Sequence, residues 1–371
     1  QKRTSGLMQP QMKPKIEAAT KRHFPDGIPA FGTDALRFTF AALASTGRDI
    51  RFDLGRIEGY RNFCNKIWNA TRYVLQNVES EDCFSGELSL ADRWILARFQ
   101  QVSTDTSKHL NEYRFDLATR DLYEFVWNDY CDWYIELSKP ILYSDGSTEN
   151  VKRGARHTLV TVLEGILRLL HPIMPYITEE LWQKIGPLAA VEGETIMLQP
   201  YPVADQKLID QDAIAELEWV KQFIMGIRQI RSEMDIKPGK ALPVLCQNGD
   251  IVDKERLDSN RGLLVSLARL ESITWLEAAD AAPESATSLV GEMNLLIPME
   301  GLIDKDAELA RLQKNIDRLS SEVNRIQSKL QNANFVDRAP EDIVEKERTK
   351  LAENQSALDN LKSQSIRISA M

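Results

Sequence analysis

Three sets of side chains in this sequence have the types and spacing that chemistry requires, and none is a catalytic signature. Glu179 and Glu180 form an adjacent acid pair, the residue type used for proton transfer, but both read as the solvated face of a helix. Cys64, Cys83, Cys131 and Cys246 stand far apart, as do His23, His109, His157 and His171. Their spacing supports neither a zinc site nor a disulfide framework. There is no phosphate loop, no G-x-G-x-x-G, no H-E-x-x-H and no nucleophile elbow. The third set is basic and aromatic. Arg61, Lys66, Arg72 and Tyr73 crowd one stretch. Arg228 and Arg231 stand where Lys221, Lys237 and Lys240 also gather against Glu233 and Asp235. Arg311, Lys314, Arg318 and Arg325 recur near the C-terminal end. Guanidinium and ammonium groups meet phosphates, and aromatic faces meet unstacked bases. Trp68, beside the first group, reads as a core residue, while Tyr73 divides between stacking and packing.

The whole chain gives a weaker signal. Its formal net charge is −9, which argues mildly against nucleic acid, although a local basic stripe suffices to hold phosphates. With 371 residues, 43% hydrophobic and 27% charged, it reads as a globular protein of two or three structural units. No apolar run approaches the roughly 20 residues that cross a bilayer, and no signal peptide opens the chain, so no membrane partner is expected. The dispersed cysteines suit a reducing cytoplasm. The chain opens Gln1-Lys2-Arg3-Thr4 without Met and reads as a piece of a longer protein.

The elements that must position these residues are mainly α. Residues 1–34, rich in Pro, Gly and Lys, read as an irregular connector, with Thr33 or Asp34 capping a short helix through Ala44. Ile57, Tyr60, Cys64, Ile67, Thr71, Val74 and Val78 mark one face of an amphipathic helix. Ser89 and Asp92 form a capping box for the next. A stripe from Phe115 through Ala118, Leu122, Phe125, Val126, Trp133 and Leu137 stops at Pro140. Further helices end at His171-Pro172, run from Thr178 to Ile185, and run from Asp212 to Glu233. Long helices with short turns imply a bundle. After Pro238-Gly239, strands at 242–246, 272–276 and 293–299, with a helix near 261–270, suggest a small α/β subdomain. Leu309, Leu312, Ile316, Leu319, Val323, Ile326 and Leu330 then form a coiled-coil seam. A break from Asn332 to Pro340 and a second stripe at Val344, Leu351, Leu358 and Leu361 complete an antiparallel hairpin, its first arm about 40 Å long at 1.5 Å per residue. The expected divisions are residues 1–52 (connector and helix), 53–240 (helical bundle), 241–303 (α/β subdomain) and 304–371 (arm).

Four stretches resemble a known family. Gly32-Thr33-Asp34-Ala35-Leu36-Arg37-Phe38 is similar to the helix that follows the second signature loop of class I aminoacyl-tRNA synthetases. Arg61-Asn62-Phe63-Cys64-Asn65-Lys66-Ile67-Trp68-Asn69-Ala70 resembles that family's entry into its anticodon-binding bundle, and Leu90-Ala91-Asp92-Arg93-Trp94-Ile95 its next helix start. The run from His171-Pro172-Ile173-Met174-Pro175-Tyr176 to Thr178-Glu179-Glu180-Leu181-Trp182 resembles a signature shared by the valine, isoleucine and leucine enzymes. Arg231-Ser232-Glu233-Met234, Pro238-Gly239-Lys240 and the hairpin, with Asn334-Phe335-Val336 and Ala339-Pro340-Glu341 at its turn, point to the valyl-tRNA synthetase branch of the bacterial kind.

The resemblance implies several things. The parent protein would join valine to tRNA-Val with ATP and Mg, and would be a cytoplasmic monomer of protein biosynthesis. This chain would recognise the anticodon and tRNA body and work in cis with N-terminal catalytic and editing domains. The HIGH and KMSKS motifs of the family are missing, so the chain itself should hold no cofactor or metal and perform no catalysis. The RNA contacts would be Arg61, Lys66, Arg72, Tyr73, Arg228, Arg231, Arg311, Lys314, Arg318 and Arg325. Alternatives are the same region of an isoleucyl or leucyl enzyme, and a non-catalytic coiled-coil interaction module.

Overall fold

A computed structural model describes residues 5, 9–25, 27, 29–45, 47, 50, 53–79, 86–299, 305–331 and 341–370; within these it leaves aside the side chains of residues 23, 305–312, 341–343, 357, 360 and 363–370. The chain forms two compact units. One holds Gln1–Ile224 and Arg256–Ala268, the other Met225–Glu255 and Arg269–Met371.

The first unit is a helical bundle. Helix α1 (Lys13–His23) crosses the stretch expected to be irregular. Its Pro14 lies in the first turn, where a missing N–H costs nothing, so the prolines that suggested a connector are compatible with a helix start. α2 (Thr33–Leu43) follows, with Gly32 at its N-cap and no side-chain cap. Thr33 and Asp34 therefore do not cap it. The buried Asp34 carboxylate instead accepts the backbone N–H groups of Tyr176 and Ile177, at 3.3 and 2.7 Å. α3 (Leu54–Asn77) is capped by Asp53 and buries Ile57, Phe63, Ile67, Ala70, Thr71 and Val74. α4 (Leu90–Asn111) opens on the Ser89–Asp92 capping box.

α5 (Phe115–Glu124) runs without a break into a π-helical segment, Phe125–Tyr134, and on into α6 (Ile135–Tyr143). The helix therefore passes through Pro140, where the sequence stripe was expected to stop. The wider π pitch also changes which residues face inward. Phe125, Val126, Asp129, Tyr130, Cys131 and Tyr134 are buried, while Trp133 is only half-buried. The Tyr134 hydroxyl donates to Asp92 (2.6 Å), tying this segment to the start of α4. α7 (Glu149–Leu170) is the most buried helix. α8 (Pro175–Leu188) begins at the Asp34 contact. Arg37 on α2 donates to the carbonyls of Ile173 and Pro172 just before it, at 2.9 and 3.0 Å.

α9 (Gln211–Glu233) passes from the first unit into the second, and α10 (Ile251–Ala268) returns to the first. The second unit contains four strands: β1 (Leu242–Gln247), β2 (Leu270–Trp275), β3 (Ser285–Val290) and β4 (Met293–Pro298). Their order is β2-β1-β4-β3, with β1 and β2 parallel and the other pairs antiparallel. β3 escaped the sequence reading. Its signal is the Val290–Met293 pairing around Gly291, which takes φ +57° in a tight hairpin turn. Gly226 on α9 lies against this hairpin, where a Cβ would come within 2.8 Å of Ser288 Oγ.

α11 (Lys305–Gln331) and α12 (Glu341–Ala370) pack together through Ile316, Val323 and Leu358, with Leu319, Leu351 and Leu361 alongside. The Lys329–Glu347 and Lys350–Glu322 pairs, at 2.6 and 2.8 Å, match late α11 with early α12, which makes the arm antiparallel. The expected turn motifs at 334–336 and 339–340 lie outside the described residues. No described helix is long and apolar enough to cross a membrane.

Candidate nucleic-acid interface

The outer face of α3 is built by simple helical spacing. Arg61, Asn65, Trp68 and Arg72 recur at steps of four, three and four, so they share a stripe opposite the buried residues. Trp68 is 44% exposed, which corrects its reading as core: Ile67 and Thr71 take the inward positions and leave the indole facing solvent. The spacing carried this signal, because Trp68 falls in step with two arginines. The Arg61 guanidinium donates to Glu58 (3.1 Å) and lies 5.5 Å from the Phe31 ring centroid.

Lys66 and Tyr73 occupy the edge of that stripe. Lys66 pairs with Asp132, its ammonium 4.5 Å from the Trp127 ring, and this ring continues a cluster through Tyr123 (5.4 Å), Phe63 and Phe38. The half-buried Tyr73 meets Ser138 through its hydroxyl at 3.2 Å, and the Lys139 ammonium stands 5.9 Å from its ring. Burial pushes its phenol well above the ordinary range, so it stays neutral. Near the end of α3 the exposed Tyr143 donates to Asn77 (2.6 Å) beside a cleft lined by Gln76, Glu79 and Arg156. The sequence reading missed this tyrosine because it took the helix to stop at Pro140.

On α9, Arg228 is exposed. Arg231 donates to the carbonyls of Lys240 (2.8 Å) and Arg269 (2.9 Å), so it holds the turn after α9. Burial holds its guanidinium below the usual value. Lys221 faces inward, within 5.6 Å of both the Trp94 and Trp133 rings and 3.7 Å from Asp129, and does not belong to an outward basic face. On the arm, Lys314, Arg318 and Arg325 are exposed beside the seam; Arg311 lies on α11, its side chain outside the described set. Arg325 stands 3.7 Å from Glu322, whose carboxyl Lys350 holds below the usual range. Among the described residues no cluster of His, Cys, Asp and Glu has the arrangement of a metal site. The observed groups suit phosphate and base contact, with guanidinium groups and an exposed indole on rigid helices.

Two family models match this chain. The anticodon-binding domain of tRNA ligase matches residues 92–246, and the valyl tRNA synthetase tRNA binding arm matches residues 304–369. One similar solved structure is a ternary complex of Agrobacterium radiobacter K84 agnB2 LeuRS with tRNA and LeuAMS. It is 15% identical, with a TM-score of 0.35, over 73% of this chain and 29% of that one. A likeness at that level carries no argument; this chain spans under a third of that protein's length. In chain order, the first model takes in α4 to β1 and the second the arm. Together the two matches support a C-terminal, tRNA-binding region of a class I aminoacyl-tRNA synthetase, of the valyl kind.

Proposed function

We propose that this chain is the part of a valine–tRNA ligase that selects tRNA-Val, the bundle meeting the anticodon and the arm meeting the tRNA body. The observation that carries the reading is the order of the two matches: a valyl-type arm follows an anticodon-binding domain in one chain. Arg61, Trp68 and Arg72 make the direct contacts on α3, while Lys66 and Tyr73 form the edge that fixes their setting. Arg231 shapes the turn after α9 near the exposed Arg228. Arg311, Lys314, Arg318 and Arg325 hold backbone phosphates, contacts that are electrostatic and insensitive to sequence.

The chain carries no HIGH or KMSKS motif. Joining valine to tRNA with ATP and Mg would then fall to catalytic and editing domains acting in cis, in a cytoplasmic monomer. The test is filter binding of the chain to tRNA-Val and to a non-cognate tRNA at two salt concentrations, with valine-dependent pyrophosphate exchange measured alongside. Preferential retention of tRNA-Val without exchange supports the reading. Equal retention of both tRNAs removes the valine assignment, and exchange above background removes the non-catalytic one.

A further inference from the structure

A second feature of the bundle lies away from the Tyr143 cleft. Three stretches distant in sequence, the start of α2, the first half of α3 and the start of α8, border one pocket of about 300 Å³, at the small end of ligand sites. Its polar and aromatic walls are Arg61, Asn65, Phe31 and Tyr176. Tyr176 is 66% exposed although it sits in the first turn of a well-packed helix. Nothing in the packing of α8 requires an aromatic ring there, since Leu181, Trp182 and Ile185 supply its core face.

The one acid in the pocket is already committed. Both Asp34 oxygens accept backbone N–H groups of α8, so the carboxylate is engaged within the fold. Cys64 adds no nucleophile, because burial pushes its thiol up to about 11. The remaining groups are a guanidinium, an exposed amide and an exposed phenol ring. A guanidinium binds phosphate, an amide reads a base edge, and a ring stacks on a base face. Arg61 reaches the pocket from an exposed pair with Glu58, the kind of contact that yields to a phosphate at little cost.

We propose that this pocket holds a single unstacked nucleotide of the bound tRNA, its phosphate on Arg61, its base edge on Asn65 and its base face on Tyr176. The proposal rests on the tRNA-binding reading and adds a site to it. The test is filter binding of a tRNA-Val transcript to the full chain and to Arg61→Gln, Tyr176→Ala and Tyr176→Phe, with thermal melting of each. Arg61→Gln and Tyr176→Ala should each weaken binding roughly five- to hundredfold with unchanged melting. Arg61→Gln should also lower the salt slope by about 0.7–0.9, the share of one phosphate, whereas Tyr176→Ala leaves the slope intact. Tyr176→Phe keeps the ring and should bind like the parent. If the parent binds tRNA and both disruptive variants bind equally well, the pocket is no nucleotide site and the tRNA reading stands. A Tyr176→Phe loss as large as that of Tyr176→Ala overturns the stacking role. If the parent binds no tRNA, the pocket proposal falls together with the tRNA reading.

Discussion

Trp68 and Tyr73 lie on the same helix and make opposite commitments. The Trp68 indole is 44% exposed and in line with Arg61 and Arg72, whereas Tyr73 is half-buried against Ser138 and Lys139. Trp68→Ala should therefore weaken tRNA binding roughly five- to hundredfold and leave the melting temperature almost unchanged. Tyr73→Ala should do the reverse: a loss of about 1–3 kcal/mol of stability by denaturant titration, with a small effect on affinity measured well below the melting transition. The opposite pair of outcomes would return stacking to Tyr73. The sequence left Tyr73 between stacking and packing and read Trp68 as core; adjacent positions on a helix face different surroundings, and the step that aligns Trp68 with Arg61 and Arg72 is what separates it from Ile67. Lys221 shows the same limit. Counted as a basic residue it looks solvated, yet its side chain enters a gap between two tryptophans and an aspartate, and no spacing rule foretells that. The Ser89–Asp92 box was legible because both partners lie within one turn.

Elements explain how distant motifs come together. The Gly32–Phe38 and His171–Trp182 stretches resembled one family separately; in the fold Asp34 and Arg37 clamp the turn that starts α8. A helix start satisfied by a residue over a hundred positions away leaves no local trace, which is why Asp34 read as the cap of its own helix. The π-helical segment was equally hidden, since an apolar stripe looks alike at either pitch. Close packing at α7 gives a sharp expectation. A Cβ on Gly154 would fall 2.1 Å from the Glu87 carbonyl oxygen, a backbone atom held by the Glu87 N–H bond to Asn150. Gly154→Ala should cost about 1–3 kcal/mol in denaturant titrations; a variant as stable as the parent would show that the 86–87 segment gives way freely. The arm was the most legible element, because its seam repeats through both helices. Lys314, Arg318 and Arg325 avoid that seam, so replacing them together with Arg311 by Gln should keep the arm helical by circular dichroism. Binding to all tRNAs should weaken by a similar factor, and the salt slope should flatten by about 0.7–0.9 for each phosphate left without its cation. Unchanged binding at low salt would make the arm an internal prop.

Across the whole molecule the formal charge is −9, so the proposed phosphate contacts rest on local stripes on α3 and along α11, not on a general field. In the proposed function such stripes divide the labour: base contacts on the bundle would carry specificity, and phosphate contacts on the arm would add affinity without it. The α/β unit was partly legible, its three expected strands and helix being present and its fourth strand hidden in a short polar run. The most direct measurement compares the affinity of the full chain for a tRNA-Val transcript with its affinity for the same transcript carrying a different anticodon. Binding that falls at least about fivefold on anticodon replacement, with an unchanged salt slope, is the expected result. Equal affinity for the two transcripts would contradict anticodon recognition by the bundle.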